Sequence, residues 1–455
     1  MPTPEERFAR VAREAQREGR LPSLSAGVFR AGELVWSEAI GLAEIEERRG
    51  ATTDTQYAIA SITKTFTAAA VMQLQHEGQL DFDDPLERHL PDVMHGTLAL
   101  RRMLAHASGL QREPPGEIWE SMVFPGEEEL LAGLVDAEQV LAGGQAWHYS
   151  NLAYALLGHV VSRVSGMPFR EYVQHRLLEP VGLAQTTWGA SASPPAAKPY
   201  FVEPYSDAVR REPELDLGGK GGESGLYSTI EDLARWGSFL CDPDGSILPP
   251  QLAAEMHEVQ IMAEPDWTLG WGLGIELWRR GDRIFGGHTG GFPGFISILV
   301  YSRREKVGAV LLTNSSRWPK VMETGLTLVE AAVEELAPPP EPWAPEEPPP
   351  EEIAPLLGRW WSEGAETIFS WRGGRLEARL ATQPPEREPS VFEPDGDDRF
   401  RTVSGRERGE VLRVVRGDDG EVLKLYWATY PFTRQPEIFG PPPESGSGGS
   451  GRLFP

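Results

Sequence analysis

A serine and a lysine three residues apart, Ser61 and Lys64, open a strongly apolar stretch, Ala60-Ser61-Ile62-Thr63-Lys64-Thr65-Phe66-Thr67. On a helix the two share a face and can meet. A serine hydroxyl is a poor nucleophile until a base takes its proton, and a lysine desolvated at the positive end of a helix can be neutral enough to take it. The pair reads as a nucleophile and its base within one helical turn. The competing reading is a serine N-cap followed by a solvated lysine, so the stretch needs support from elsewhere in the chain.

Two further stretches supply it. Trp147-His148-Tyr149-Ser150-Asn151 stands directly before a helix predicted from Leu152, where a tyrosine and an asparagine two apart can both face one cleft. The Tyr149 hydroxyl could then relay a proton to a leaving group, and Asn151 could bind the lysine or a substrate amide. The alternative is that Ser150 or Asn151 only caps the helix. Gly286-Gly287-His288-Thr289-Gly290-Gly291 precedes a strand predicted from Phe295. Glycines at this density let another backbone approach, so a strand edge here can offer N–H groups to an oxyanion and to a substrate main chain. The alternative is a glycine-rich hairpin with His288 at the surface.

Together these stretches resemble the three motifs of the serine β-lactamase and penicillin-binding-protein superfamily: Ser-x-x-Lys, Tyr-x-Asn and Lys/His-Thr-Gly, in that order. Leu104-Ala105-His106-Ala107-Ser108-Gly109 and the glycine-rich helix entry around Gly222 to Asp232 are similar to two more of its stretches. The resemblance covers roughly residues 5 to 336 and points to the class C-like branch, which holds AmpC-type β-lactamases, D-alanyl-D-alanine carboxypeptidases, D-aminopeptidases and carboxylesterases. It implies acylation of Ser61, proton acceptance by Lys64 and proton transfer by Tyr149. It further implies substrate binding by Asn151, His288, Thr289, Gly290 and Gly291, with an oxyanion hole from the N–H groups of Ser61 and Gly291. His288 stands where true β-lactamases usually carry lysine. The departure favours a D-amino-acid peptidase, amidase or carboxypeptidase-like enzyme, with a carboxylesterase of weak β-lactamase activity as the alternative. A catalytically silent binding or scaffold protein of the same fold is the alternative from another class.

The elements that must position these groups are legible in outline. Thr3, Pro4 and Glu6 start a helix with a capping box. Leu24 to Phe29 and Leu34 to Trp36 read as a hairpin. Ser61 to Glu77 is apolar nearly all round and reads as a buried central helix. Helices are expected at Leu98 to Leu104, Glu127 to Leu141 and Leu152 to Val164, and from Ser228. Strands are expected at Trp271 to Trp278, Arg283 to Phe285, Phe295 to Val300 and Val307 to Thr313, followed by a helix at about Pro319 to Leu336. This order implies an α+β β-lactamase-like transpeptidase fold, an antiparallel sheet with an inserted helical subdomain.

The expected domains are 1–337 for that fold, a stiff linker rich in proline and glutamate at 338–356, a small β-barrel at 357–440 and a disordered tail at 441–455. The barrel resembles the lipocalin-like modules appended to some D-aminopeptidase-like members, with Leu357-Gly358-Arg359-Trp360 and Tyr430-Pro431-Phe432-Thr433-Arg434 as its first and last strands.

Among 455 residues, 43 are Lys or Arg and 68 are Asp or Glu, a formal charge of −25. That field repels phosphate backbones and anionic bilayers, which excludes nucleic acid and a membrane surface as partners. A small molecule or short peptide remains as substrate, and a homo-oligomer is allowed. The single cysteine, Cys241, forms no internal disulfide. No His-Glu-x-x-His or comparable cluster is present, so neither metal nor cofactor is expected. Gly218-Gly219-Lys220-Gly221-Gly222 lacks the Ser or Thr that a phosphate loop carries after its lysine. The first residues have no basic and apolar leader pattern, and no apolar run reaches about 18 residues, so the expectation is a cytoplasmic, soluble protein.

Overall fold

The computed structural model describes residues 2–91, 93–193, 195–215, 221–336, 342–345, 347–384 and 387–437. The chain divides into two compact units, residues 1–339 and 340–455.

The first unit is built on a nine-stranded antiparallel sheet. Its main strands are β1 (Ser23–Arg30), β2 (Glu33–Glu44), β3 (Leu269–Trp271), β4 (Glu276–Arg280), β5 (Arg283–Phe292), β6 (Phe295–Ser302) and β7 (Val307–Thr313). They lie in the order β2-β1-β7-β6-β5-β4-β3, with the two-residue strands Arg49–Gly50 and Ile261–Met262 at the edges. The N-terminal hairpin thus pairs with the last strand of the unit, Leu24 opposite Thr313 and Arg30 opposite Val307, and residues 51–260 lie in sequence between the two edge strands of the sheet.

Period-two alternation sends side chains to two cores. Ile298 and Val300 pack with Phe8 and Ala12 of α1 (Pro4–Gly19) and with the C-terminal helix Val321–Leu336. Leu299 and Tyr301 face the opposite side, where α2 (Thr63–His76), α3 (Asn151–Ser165) and α4 (Ile230–Cys241) form the larger core. Every residue of α2 from Thr63 to Leu74 is buried, as its all-round apolarity predicts. The Trp236 ring of α4 stacks on Phe66 with centroids 3.9 Å apart, and its indole N–H donates to Thr65 at 2.8 Å. Such a pair adds about 1 kcal/mol beyond the area it buries.

The structure corrects several boundaries. The stretch Trp271 to Trp278 is a hairpin, because Gly272 N–H donates to Ile275 O at 2.9 Å and closes a turn between β3 and β4. The helix expected to reach Leu141 stops at Gly133, followed by a 3-10 turn over Leu134–Asp136, because the chain must bring Gln139 beside Leu110. The motif Gly286 to Gly291 lies inside β5 rather than ahead of a strand.

The second unit is a sequential eight-stranded antiparallel sheet from Gly358–Ser362 to Tyr430–Phe432. Trp361 and Thr433 exchange backbone hydrogen bonds of 2.9 and 3.0 Å, which joins the first strand to the end of the last and nearly closes a barrel. Its interior is filled by Trp360, Phe369, Phe392, Trp427 and Phe432, with Ile353 and Leu356 from the expected linker. The strand Ser390–Pro394 escaped the sequence reading. The expected tail at 441–455 and the sequence Gly218-Gly219-Lys220 lie outside the described residues. Among the described residues, no helix is long and apolar enough to cross a membrane.

Candidate active site

Ser61 lies in a 3-10 turn, Ala60–Ile62, that leads into α2. Ala60 adopts φ 49°, the left-handed region that costs a residue with a Cβ of order 1 kcal/mol. The chain therefore enters the serine through a sharp bend. No side chain caps α2, so Ser61 is not its N-cap, and Lys64 is fully buried rather than solvated. The Lys64 Nζ donates to Ser61 Oγ at 3.1 Å and to the Glu223 carbonyl at 2.9 Å. It also lies 5.1 Å from the Tyr149 ring centroid and 5.6 Å from that of Tyr154. The helical spacing alone produces the Ser61–Lys64 contact; α3 and the Glu223 segment aim it.

Tyr149 is held from three sides. The ring of His106 stacks on it, the Arg112 guanidinium lies 4.8 Å from its centroid, and Trp147 and Trp271 meet it edge-on or nearly so. Its hydroxyl is within hydrogen-bond reach of Ser61, yet burial pushes the phenol well above its ordinary value of 10.0, with the charges of Glu276 and Glu223 adding to the effect. Tyr149 thus stays a protonated donor at neutral pH. Ser150 caps α3 through its hydroxyl, which accepts Ala153 N–H at 3.0 Å. The capping reading and the cleft reading of this loop both hold. Asn151 donates to Glu113 Oε1 at 2.5 Å, while its own buried Oδ1 has no partner among the described residues.

On the other side of the cleft, β5 runs past the serine. A Cβ at Gly290 would sit 2.3 Å from the Ile59 carbonyl and 2.2 Å from Ser297 Oγ. Glycine here lets the strand close on the residues before Ser61. At Gly291 a Cβ would meet nothing within 4 Å among the described residues, because that position faces the open cleft. His288 is buried, not at the surface. Its Nδ1 lies 2.5 Å from the Thr289 carbonyl, an acceptor, so Nδ1 carries the proton. Its buried Nε2 has no partner among the described residues, and burial with the nearby Lys64 charge holds its pKa down at about 3. His288 is therefore neutral.

Ser61, Tyr149, Asn151, Thr289 and Gly291 line one cleft of about 540 Å³. Lys64, His288 and Gly290 stand behind its wall. The cleft also holds residues that the motifs do not mark: Arg112, Glu113, Trp119, Trp147, Leu269, Trp271 and Glu276. Glu276 is buried, and its Oε1 accepts both the Thr289 N–H at 3.0 Å and the Thr289 hydroxyl at 2.7 Å. Burial raises its pKa to about 7, against the hydrogen bonds from Thr289 and the Lys64 charge. The turn before it packs on α2: Gly274 has φ +82°, and a Cβ there would lie 2.3 Å from that of Ala68. A lone carboxylate inside the apolar run Trp271 to Trp278 was the available signal.

With this geometry in view, the comparisons with known proteins give the same answer. Residues 8–334 match the family described as Beta-lactamase. The chain belongs to the Beta-lactamase family. Residues 349–434 match a second family, a domain of unknown function, DUF7586. Protein flp of Staphylococcus aureus (strain MW2) is 24% identical to this Beta-lactamase-family chain over 319 residues, 67% of this chain and 62% of flp. The chain thus spans less than two thirds of that relative's length. The crystal structure of SurE is similar over 95% of this chain and 99% of its own, with TM-score 0.62 and 25% identity. A D-stereospecific amidohydrolase from Streptomyces sp. is similar over 70% of this chain and 98% of its own, with TM-score 0.59 and 26% identity.

Proposed function

We propose that this protein hydrolyses an amide or ester of a small substrate through an acyl-enzyme on Ser61, and that D-amino-acid amides or peptides are its substrate class. The observation that carries the reading is the convergence of Lys64 and the Tyr149 hydroxyl on the Ser61 hydroxyl. Lys64, entering as its amine, takes the Ser61 proton as Oγ attacks the substrate carbonyl. The N–H groups of Ser61 and Gly291 receive the oxyanion. Tyr149 donates its proton to the departing nitrogen or oxygen and regains one through Lys64. Water then repeats the sequence on the ester, with the Ser61 hydroxyl restored. The unpartnered Oδ1 of Asn151 suits a substrate amide N–H, and Trp119, Trp147 and Trp271 offer an apolar wall for a side chain. The likeness to a D-stereospecific amidohydrolase supports the choice of D-amino-acid derivatives.

The test is labelling with a fluorophosphonate followed by intact-mass and peptide spectra. An adduct on Ser61 is expected in the native chain and none in Ser61→Ala; no adduct would leave a non-catalytic protein of this fold. Rates on D-aminoacyl p-nitroanilides compared with p-nitrophenyl esters then separate amidase from carboxylesterase, and activity confined to the esters would overturn the amide assignment.

A further inference from the structure

We propose that Glu276 is a positioning residue that turns Thr289 into a hydrogen-bond acceptor, so that this corner of the cleft takes an amine or amide N–H of the substrate and rejects a carboxylate. The inference rests on the reading of this cleft as the substrate site.

Thr289 has two donors, its backbone N–H and its hydroxyl, and both are given to Glu276 Oε1, at 3.0 and 2.7 Å. What the side chain can still present to the cleft is lone-pair density. A carboxylate brings only acceptors and a negative charge, so it would find no donor at Thr289 and would face a second carboxylate behind it. A substrate N–H would complete the Thr289 oxygen. The position that carries lysine in true β-lactamases holds His288, whose Nδ1–H is spent on the Thr289 carbonyl at 2.5 Å. That ring lies 3.3 Å from Glu276 through the same nitrogen and adds no cation.

The other charged and titratable groups facing Glu276 come from every element around it. Lys64 on α2 is committed to Ser61 and Glu223. Tyr149, on the loop before α3, feels the Glu276 charge. Arg112 is stacked on Tyr149, and Glu113, beside it in the cleft, accepts from Asn151. Protonating Glu276 would remove the negative charge behind Thr289, so the rejection of carboxylates should relax in acid. With its carboxyl titrating at about 7, the change falls between pH 8.5 and pH 6.

The experiment measures binding, independent of turnover. In full-length Ser61→Ala protein, dissociation constants for N-acetyl-D-phenylalanine and its N-methylamide are compared by calorimetry at pH 8.5 and pH 6. The methylamide is expected to bind about tenfold tighter at pH 8.5, since like-charge juxtaposition is costly, and the ratio should shrink at pH 6. Adding Glu276→Gln removes the charge but keeps an oxygen for the two Thr289 donors, so the ratio should shrink and no longer change between the two pH values. Adding Thr289→Val instead should weaken the methylamide and spare the carboxylate, which keeps the proposal testable if Glu276→Gln fails to fold. A ratio unchanged by Glu276→Gln, a preference for the carboxylate through Arg112, or no binding of either ligand overturns the proposal. Failure of Ser61 labelling with the binding ratio intact would sink the hydrolase reading alone.

Discussion

The imidazole of His106 lies against the Tyr149 ring, centroids 4.1 Å apart at 25°, and its Nδ1 accepts the N–H of Ser150 at 3.1 Å. His106 itself sits at φ 54° and its carbonyl accepts His148 N–H at 2.7 Å. One residue therefore fixes the backbone on either side of the tyrosine and the tilt of its ring. His106→Ala should cost about 2–4 kcal/mol, from the cavity and the stranded Ser150 donor. It should also slow turnover roughly 10- to 100-fold by loosening Tyr149. Thermal melts and single-turnover rates on the variant check both numbers.

Tyr149→Phe separates the two proton transfers. Fluoride leaves a fluorophosphonate without needing a proton donor, whereas an anilide nitrogen needs one. The variant should be labelled at Ser61 at close to the native rate while anilide hydrolysis falls about 10²- to 10⁴-fold. Lys64→Ala should lose both. Equal loss of labelling in the two variants would assign the Ser61 proton to Tyr149 instead.

Adjacent glycines should respond in opposite ways. Gly290→Ala forces a methyl into the Ile59 carbonyl and Ser297 Oγ, at 2.3 and 2.2 Å, and should destabilise the first unit by a few kcal/mol. Gly291→Ala meets nothing within 4 Å and should leave the melting temperature unchanged, while its methyl in the cleft lowers kcat/KM. Differential scanning calorimetry beside steady-state kinetics distinguishes the pair.

Three buried histidines predict acid sensitivity. Burial lowers His257 and His288 to about 3, and His106 well below its ordinary 6.5. Their folded values are depressed, so below pH 6.5 the unfolded chain binds protons that the folded chain refuses, and stability is lost as pH falls. Glu276, raised to about 7 from 4.5, works the other way, because the folded state holds its proton first. Three groups against one leave about two protons, so stability should fall by about 3 kcal/mol per pH unit by pH 5. Urea unfolding at pH 8, 6.5 and 5.5, followed by tryptophan fluorescence, measures the slope; a flat profile would contradict these burials.

The contact between Ser61 and Lys64, the burial of α2 and the cap at Ser150 were legible in the sequence because each follows from helical spacing within a few residues. The N-terminal helix was equally clear, since Thr3 and Glu6 satisfy each other's backbone N–H groups. The order of the motifs also announced the family. Thr289 is marked by its place in the motif, but only the pairing of β4 with β5, Glu276 opposite Gly287, reveals that both of its donors are taken. Arg112 and Glu113 on a loop and Trp119 on the one-turn helix Ile118–Ser121 reach the cleft by long-range packing that leaves no periodic trace. His288 could be named from the chain, but its neutrality depends on burial and on which atom meets Nδ1. Local spacing decides which groups can touch within one helical turn; sheet register and long-range packing decide what each group has left to offer a substrate.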